Sequence, residues 1–133
     1  MSAPLAVVAD DSLMVRRVAA RILRDLGFEV AEAKSAQDLL DAARLQPPAL
    51  LMLDAALGRT PAADIVRDLR AVDGGADVRV VLCTARRDVE FITQALAFGA
   101  DEYIIKPFDS DIVESKLRLL GLPVRGQHRS AAA

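Results

Sequence analysis

Four short apolar runs in this chain each end in a residue able to do chemistry. Asp10 and Asp11 follow the run Leu5 to Ala9, Asp54 follows Ala49 to Leu53, Thr84 follows Arg79 to Cys83, and Lys106 follows Glu102 to Ile105. In open α/β sheets the residues just past the strand ends line the ligand crevice, so these groups are expected to gather at one edge. Three carboxylates around one crevice repel each other, and burying part of that charge is costly unless a cation is present. The donors are oxygens, the one cysteine, Cys83, lies inside an apolar run, and the one histidine is in the tail. That donor set points to Mg²⁺, with Mn²⁺ as the alternative, and away from zinc. Few protein ligands leave coordination positions for water and for a phosphoryl oxygen. An aspartate can then act as a nucleophile toward phosphorus and form an acyl phosphate, provided the charge on the transferred group is neutralised. A metal ion, Lys106 and the Thr84 hydroxyl would supply that neutralisation.

The elements that must position these groups are legible as alternating apolar runs and segments of helical period, the mark of a parallel sheet with crossover helices. Strands are expected at Leu5 to Ala9, Phe28 to Glu32, Ala49 to Leu53, Arg79 to Cys83 and Glu102 to Ile105. The first, third and fourth are apolar almost throughout, as in strands covered on both faces, whereas Phe28 to Glu32 alternates and is expected at an edge. Val15, Val18, Ala19, Ile22 and Leu26 recur at helical spacing and predict a first helix, which Gly27 stops. Further helices are read at Ala36 to Leu45, Ala62 to Ala71, Asp88 to Phe98 and Asp109 to Leu120, with Pro61 opening the third. The expected fold is a doubly wound (βα)5 parallel sheet with right-handed crossovers, and the strand order 2-1-3-4-5 is one of two common arrangements that suit an edge second strand.

A chain of 133 residues is one ordinary domain. Residues 1–121 are expected to form it, with 122–133 as a flexible tail. Seventeen basic against nineteen acidic residues leave a net charge of −2, which argues against a basic nucleic-acid-binding face and hence against direct DNA binding. No apolar run reaches the roughly 18 residues of a membrane span, and the N-terminus lacks a signal peptide's pattern, so no membrane insertion and a cytoplasmic location are expected. Cys83 cannot pair internally and reads as a small buried hydrophobe.

The runs Val7-Val8-Ala9-Asp10-Asp11-Ser12, Asp54 after its strand, Thr84-Ala85, and Gly99-Ala100-Asp101-Glu102-Tyr103-Ile104-Ile105-Lys106-Pro107-Phe108 resemble the receiver domain of two-component response regulators. The resemblance spans about residues 4–121, and four motifs in the right order are far more specific than any one alone. It implies the flavodoxin-like order 2-1-3-4-5 and makes Asp54 the phosphoacceptor, with Asp10 and Asp11 holding Mg²⁺ directly or through water. The Ala56 backbone carbonyl would be the remaining protein ligand. Lys106 resembles the cation that contacts the phosphoryl group, Thr84 the hydroxyl that reorients toward it, and Tyr103 the aromatic that turns inward when Thr84 moves. The Lys106-Pro107 bond is commonly cis in this family.

The resemblance further implies a histidine kinase or phosphotransfer protein as donor, and a readout surface on the fourth helix, fifth strand and fifth helix. Such a domain is a switch, catalysing only its own phosphorylation and dephosphorylation. On the fourth helix, Val89, Ile92 and Leu96 form one apolar row and Phe91, Ala95 and Phe98 another, more apolar surface than one core-facing stripe needs. One row is a candidate partner surface, and Phe91 and Phe98 are its largest members. With only a short tail after the domain, output is expected through a separate protein target, as in stand-alone regulators. Where receivers usually carry Met-Pro, and then Gly, this chain has Leu57-Gly58 and Ala62, with its proline at Pro61. The departure bears on phosphoryl lifetime and kinase recognition. It leaves two alternatives, a phosphorylation-independent interaction module and a phosphate sink. A phosphohydrolase would want a second acid where Ala56 stands, and a flavin protein a phosphate-cradling loop where Asp10 and Asp11 would repel phosphate.

Overall fold

Five of the apolar runs become the strands of one parallel sheet in the computed structural model, which describes residues 3–55, 57–87 and 89–125. The strands are β1 (Leu5–Ala9), β2 (Glu29–Ala33), β3 (Leu50–Asp54), β4 (Arg79–Thr84) and β5 (Glu102–Ile105). Their spatial order is β2-β1-β3-β4-β5, so the alternating second strand does lie at an edge. Helices α1 (Leu13–Asp25), α2 (Ala36–Leu45), α3 (Ala62–Arg70), α4 (Val89–Ala97) and α5 (Ser110–Leu119) connect and follow them, with a short 3₁₀ turn at Gly75–Asp77 before β4.

Side-chain alternation along the central strands divides the core in two. Val7, Ala9, Leu51, Leu53, Val80 and Leu82 face one layer with Leu39, Ala43, Ile65, Val66, Leu69 and Ala95 of α2, α3 and α4. Ala6, Val8, Leu50, Met52, Val81 and Cys83 face the other, with Ala19 and Leu23 of α1 and Val113 and Leu117 of α5. Because both faces are covered, β1 and β3 carry no polar residue, and β4 only Arg79 at its start, until they reach the sheet's carboxyl edge, where chemistry begins.

Side-chain caps set where the helices start. Ser12, Ser35 and Asp109 accept the N–H groups of Val15, Asp38 and Ile112, at 3.3, 3.2 and 3.0 Å. Pro61 stands at the N-cap of α3, and Gly27 follows α1 with a φ of 105° that an L side chain rarely adopts.

Of the five apolar residues whose spacing predicted α1, Ala19 and Leu26 are buried. Ala19, Ala20 and Leu23 are its buried residues, Val15 and Ile22 are only half-buried, and Val18 is exposed. The helix is apolar around more than half its girth, so periodicity fits two neighbouring faces. The sheet takes the one with two alanines, which admits close approach of the helix backbone.

The chain also keeps packing past residue 121. Leu122 and Val124 lie against the α1/α5 layer, and the Arg125 N–H donates to the Leu26 carbonyl at 2.7 Å. The start of the expected tail is therefore a strap across the turn after α1, because apolar residues at alternate positions can cover the exposed end of that layer. Among the described residues, no helix is long and apolar enough to cross a membrane.

Candidate functional site

Parallel pairing carries two strands one residue further than the apolar runs predicted, and both added residues are functional candidates. Asp54 aligns with Cys83, and Thr84 with Ile105, so each sits in the ladder instead of a loose turn. The Lys106 N–H then donates to the Thr84 carbonyl at 2.8 Å, tying the lysine backbone to the end of β4. The Lys106-Pro107 peptide bond is cis.

Asp10, Asp11 and Asp54 converge, with one carboxylate oxygen from each lying within 4.8 Å of the other two. Asp10 is 3% exposed and Asp54 8%, while Asp11 stands open to solvent. Lys106 Nζ lies 2.9 Å from Asp10 Oδ2 and 3.3 Å from Asp54 Oδ1, bridging the two sheltered carboxylates. Partial burial by itself would lower the pKa of Lys106. The hydrogen bond to Asp10 and the charges of Asp54 and Asp10 outweigh that, and hold the ammonium above its ordinary value. One ammonium among three carboxylates leaves the cluster negative, and oxygen donors so grouped suit a hard divalent ion with ligands about 2 Å away. The Ala56 carbonyl expected as a further ligand lies outside the described residues.

Thr84 is buried, and its Oγ accepts the Arg86 N–H at 3.0 Å. The Arg86 guanidinium lies over the Phe91 ring, 4.2 Å from its centroid. Tyr103 is half-buried, and Lys116 of α5 caps its ring at 4.6 Å while bonding Glu102 at 3.2 Å. Phe91 and Phe98 are half-buried against the core, and in the other row of α4 Val89 is 78% and Leu96 43% exposed, with Ile92 half-buried.

Three contributors escaped the sequence reading. Ser12 donates its N–H to Asp10 Oδ1 at 2.9 Å, which aims that carboxylate; its place directly after the acidic pair was the available signal. Gly58 donates its N–H to Asp11 Oδ2 at 3.3 Å, across the crevice from the β3–α3 loop. A proline there would have no N–H to offer, so the departure from the family's usual pattern adds a contact. Arg16 binds the Asp10 carbonyl at 2.8 Å, and nothing in its spacing announced that.

The model for the response regulator receiver domain matches residues 6–118. The chain belongs to that family. The receiver domain is 30% identical over 114 residues to "Probable transcriptional regulator ycf27" of Cyanophora paradoxa, covering 86% of this chain and 46% of the relative. It is 33% identical over 112 residues to "DNA-binding response regulator MtrA" of Mycolicibacterium paratuberculosis, covering 84% and 48%. The chain thus spans about half the length of the curated relatives it matches. The fold of the chemotaxis response regulator CheY4 of Vibrio cholerae superposes with a TM-score of 0.83 at 20% identity, covering 90% of this receiver and 99% of that one. A receiver domain from a sensor histidine kinase of Pseudomonas aeruginosa, solved with a magnesium ion in its active-site cleft, gives 0.80 at 21% identity, again covering 90% and 99%.

Proposed function

We propose that this receiver domain is a Mg²⁺-dependent phosphoacceptor switch, with Asp54 taking the phosphoryl group from a histidine kinase or phosphotransfer protein. The observation that carries this reading is the convergence of Asp10, Asp11 and Asp54 with Lys106 at the carboxyl edge of the sheet. When bound, the divalent ion supplies charge neutralisation for the phosphoryl oxygens. A carboxylate oxygen of Asp54 forms the new bond to phosphorus as the bond to the donor's leaving atom breaks, and the leaving atom keeps the electron pair. Lys106 is placed to follow the phosphoryl oxygens. The Thr84 hydroxyl, whose oxygen accepts from Arg86, can turn its own hydrogen to a phosphoryl oxygen. The domain thus acts on itself only, and is no enzyme toward other substrates.

An approach route for a protein donor supports the reading. Leu13, Met14 and Val18 of α1 are exposed, and a cavity of about 430 Å³ lined by Met14, Val18, Pro107 and Phe108 opens next to Lys106. For output, the phosphoryl group shifts the surface of α4, β5 and α5 and so its affinity for a protein target. Thr84 and Tyr103 are the coupled elements. A switch of this kind works in the cytoplasm, where the donor's phosphohistidine is made.

Incubation with acetyl phosphate or a donor kinase and Mg²⁺, followed by intact mass, tests the proposal. The expected adduct is about 80 Da, absent in Asp54→Ala and in the presence of chelator. No adduct from either donor would overturn the reading in favour of a phosphorylation-independent interaction module.

A further inference from the structure

The acidic pair sits on a loop that one side chain of α1 holds from below. Arg16 Nη1 donates to the Asp10 backbone carbonyl at 2.8 Å, and its Nε to Glu32 Oε1 of β2 at 3.2 Å. The Arg16 side chain is 13% exposed and that of Glu32 22%, so the pair is sheltered more than an ordinary surface bridge. Glu32 is held in turn by Arg17 at 3.3 Å. Two further bonds converge on the same residue: the Asp10 N–H donates to the Ala33 carbonyl at 3.1 Å, and Oδ1 accepts from Ser12. The main chain of Asp10 is thereby fixed from both its N–H and its carbonyl, and both fixings lead to the end of β2.

We infer that Arg16 is a positioning residue for divalent-cation binding: its guanidinium fork pins the Asp10 carbonyl to Glu32 and so holds the Asp10-Asp11 pair in register with Asp54. The inference rests on the reading that this acidic cluster holds a divalent ion. A planar fork can serve two fixed acceptors from different nitrogens, and a lysine ammonium on the same stem serves them poorly. Charge alone makes the opposite prediction. Arg16 is a cation bonded to the Asp10 backbone at the edge of the acidic cluster, so by Coulomb's law removing it tightens cation binding, and keeping the charge as lysine leaves binding unchanged. Positioning requires that both substitutions weaken it.

The test is the Mg²⁺ dissociation constant of the full chain by calorimetry, with Mn²⁺ line broadening in NMR spectra as a second readout. It is applied to the wild type, Arg16→Lys, Arg16→Gln and Asp11→Asn. Wild-type binding that is lost in Asp11→Asn establishes the cluster as the cation site, and no wild-type binding overturns the site reading itself. Given wild-type binding, both Arg16 variants are expected to bind about tenfold more weakly, the scale on which groups that orient a metal ligand act. Unchanged binding in Arg16→Lys, or tighter binding in Arg16→Gln, would overturn the positioning role while leaving the cation site intact. If Arg16→Gln does not fold, Arg16→Lys alone decides, because it retains both the charge and the aliphatic stem.

Discussion

Lys106 touches the two sheltered carboxylates of the site, and its charge couples the fold to pH in the alkaline range. Its folded-state pKa is raised, so protonation favours the fold. That contribution is complete below the ordinary value of 10.5 and is lost as pH rises through the higher folded-state value. Replacing Lys106 by Met leaves Asp10 and Asp54 facing each other without their cation. In chelator at neutral pH the variant should lose about 2 kcal/mol in urea unfolding. The gap to wild type should narrow once pH passes the ordinary lysine value. Burial acts with the opposite sign on Cys83 of β4: it pushes the thiol up to about 12, although nearby Lys106 pulls the other way. It should therefore resist a thiol-reactive disulfide reagent at about pH 8 in the folded protein and react at once in denaturant. Rapid labelling of the native chain would refute the buried placement.

Elements are joined at the opposite end of the sheet by contacts as specific as those of the site. Arg70, at the end of α3, donates to the carbonyls of Gly75, Val78 and Gly99 and pairs with Asp101 at 3.3 Å. Asp101 also accepts the Val80 N–H at 2.7 Å, so one ion pair fixes the start of β4 and the entry to β5. Gly75 packs so tightly that an added Cβ would stand 1.9 Å from the Leu69 carbonyl oxygen. That neighbour is helix backbone and cannot step aside. Gly75→Ala should cost about 2 kcal/mol or more in equilibrium unfolding, with Mg²⁺ affinity unchanged because the joint lies far from the carboxyl edge. A neutral result would mean that α3 ends more loosely than its contacts indicate.

On the scale of the whole molecule, the two core layers are unequal in what closes them. The α1/α5 layer is finished by the strap of residues 122–125, whose Leu122 and Val124 cover its end. A chain ending at Gly121 should be less stable than the full chain by about 1–3 kcal/mol, read from chemical denaturation, since two apolar side chains and one backbone hydrogen bond are lost. Its Asp54 chemistry should persist, because the strap's backbone bond is to Leu26 in the turn between α1 and β2, away from the carboxyl edge of the sheet. Equal stability of the two chains would show that the strap contributes nothing.

Read alone, the sequence determined the element order, the edge position of β2 and the identity of the residues at the carboxyl edge. Parallel strands buried on both faces must be apolar, so Asp10, Asp54, Thr84 and Lys106 stood out by position as much as by chemistry. Tertiary structure alone decided which face of α1 is buried, since Val15, Val18 and Ile22 satisfy helical periodicity as well as Ala19, Ala20 and Leu23 do. It likewise decided which row of α4 meets solvent, and that Gly58 and Arg16 serve the acidic pair. Periodicity reports that a surface is apolar, not what lies against it. A hydrogen bond spanning 47 residues, as between Gly58 and Asp11, leaves no local trace in the chain because its partners meet only when the sheet closes.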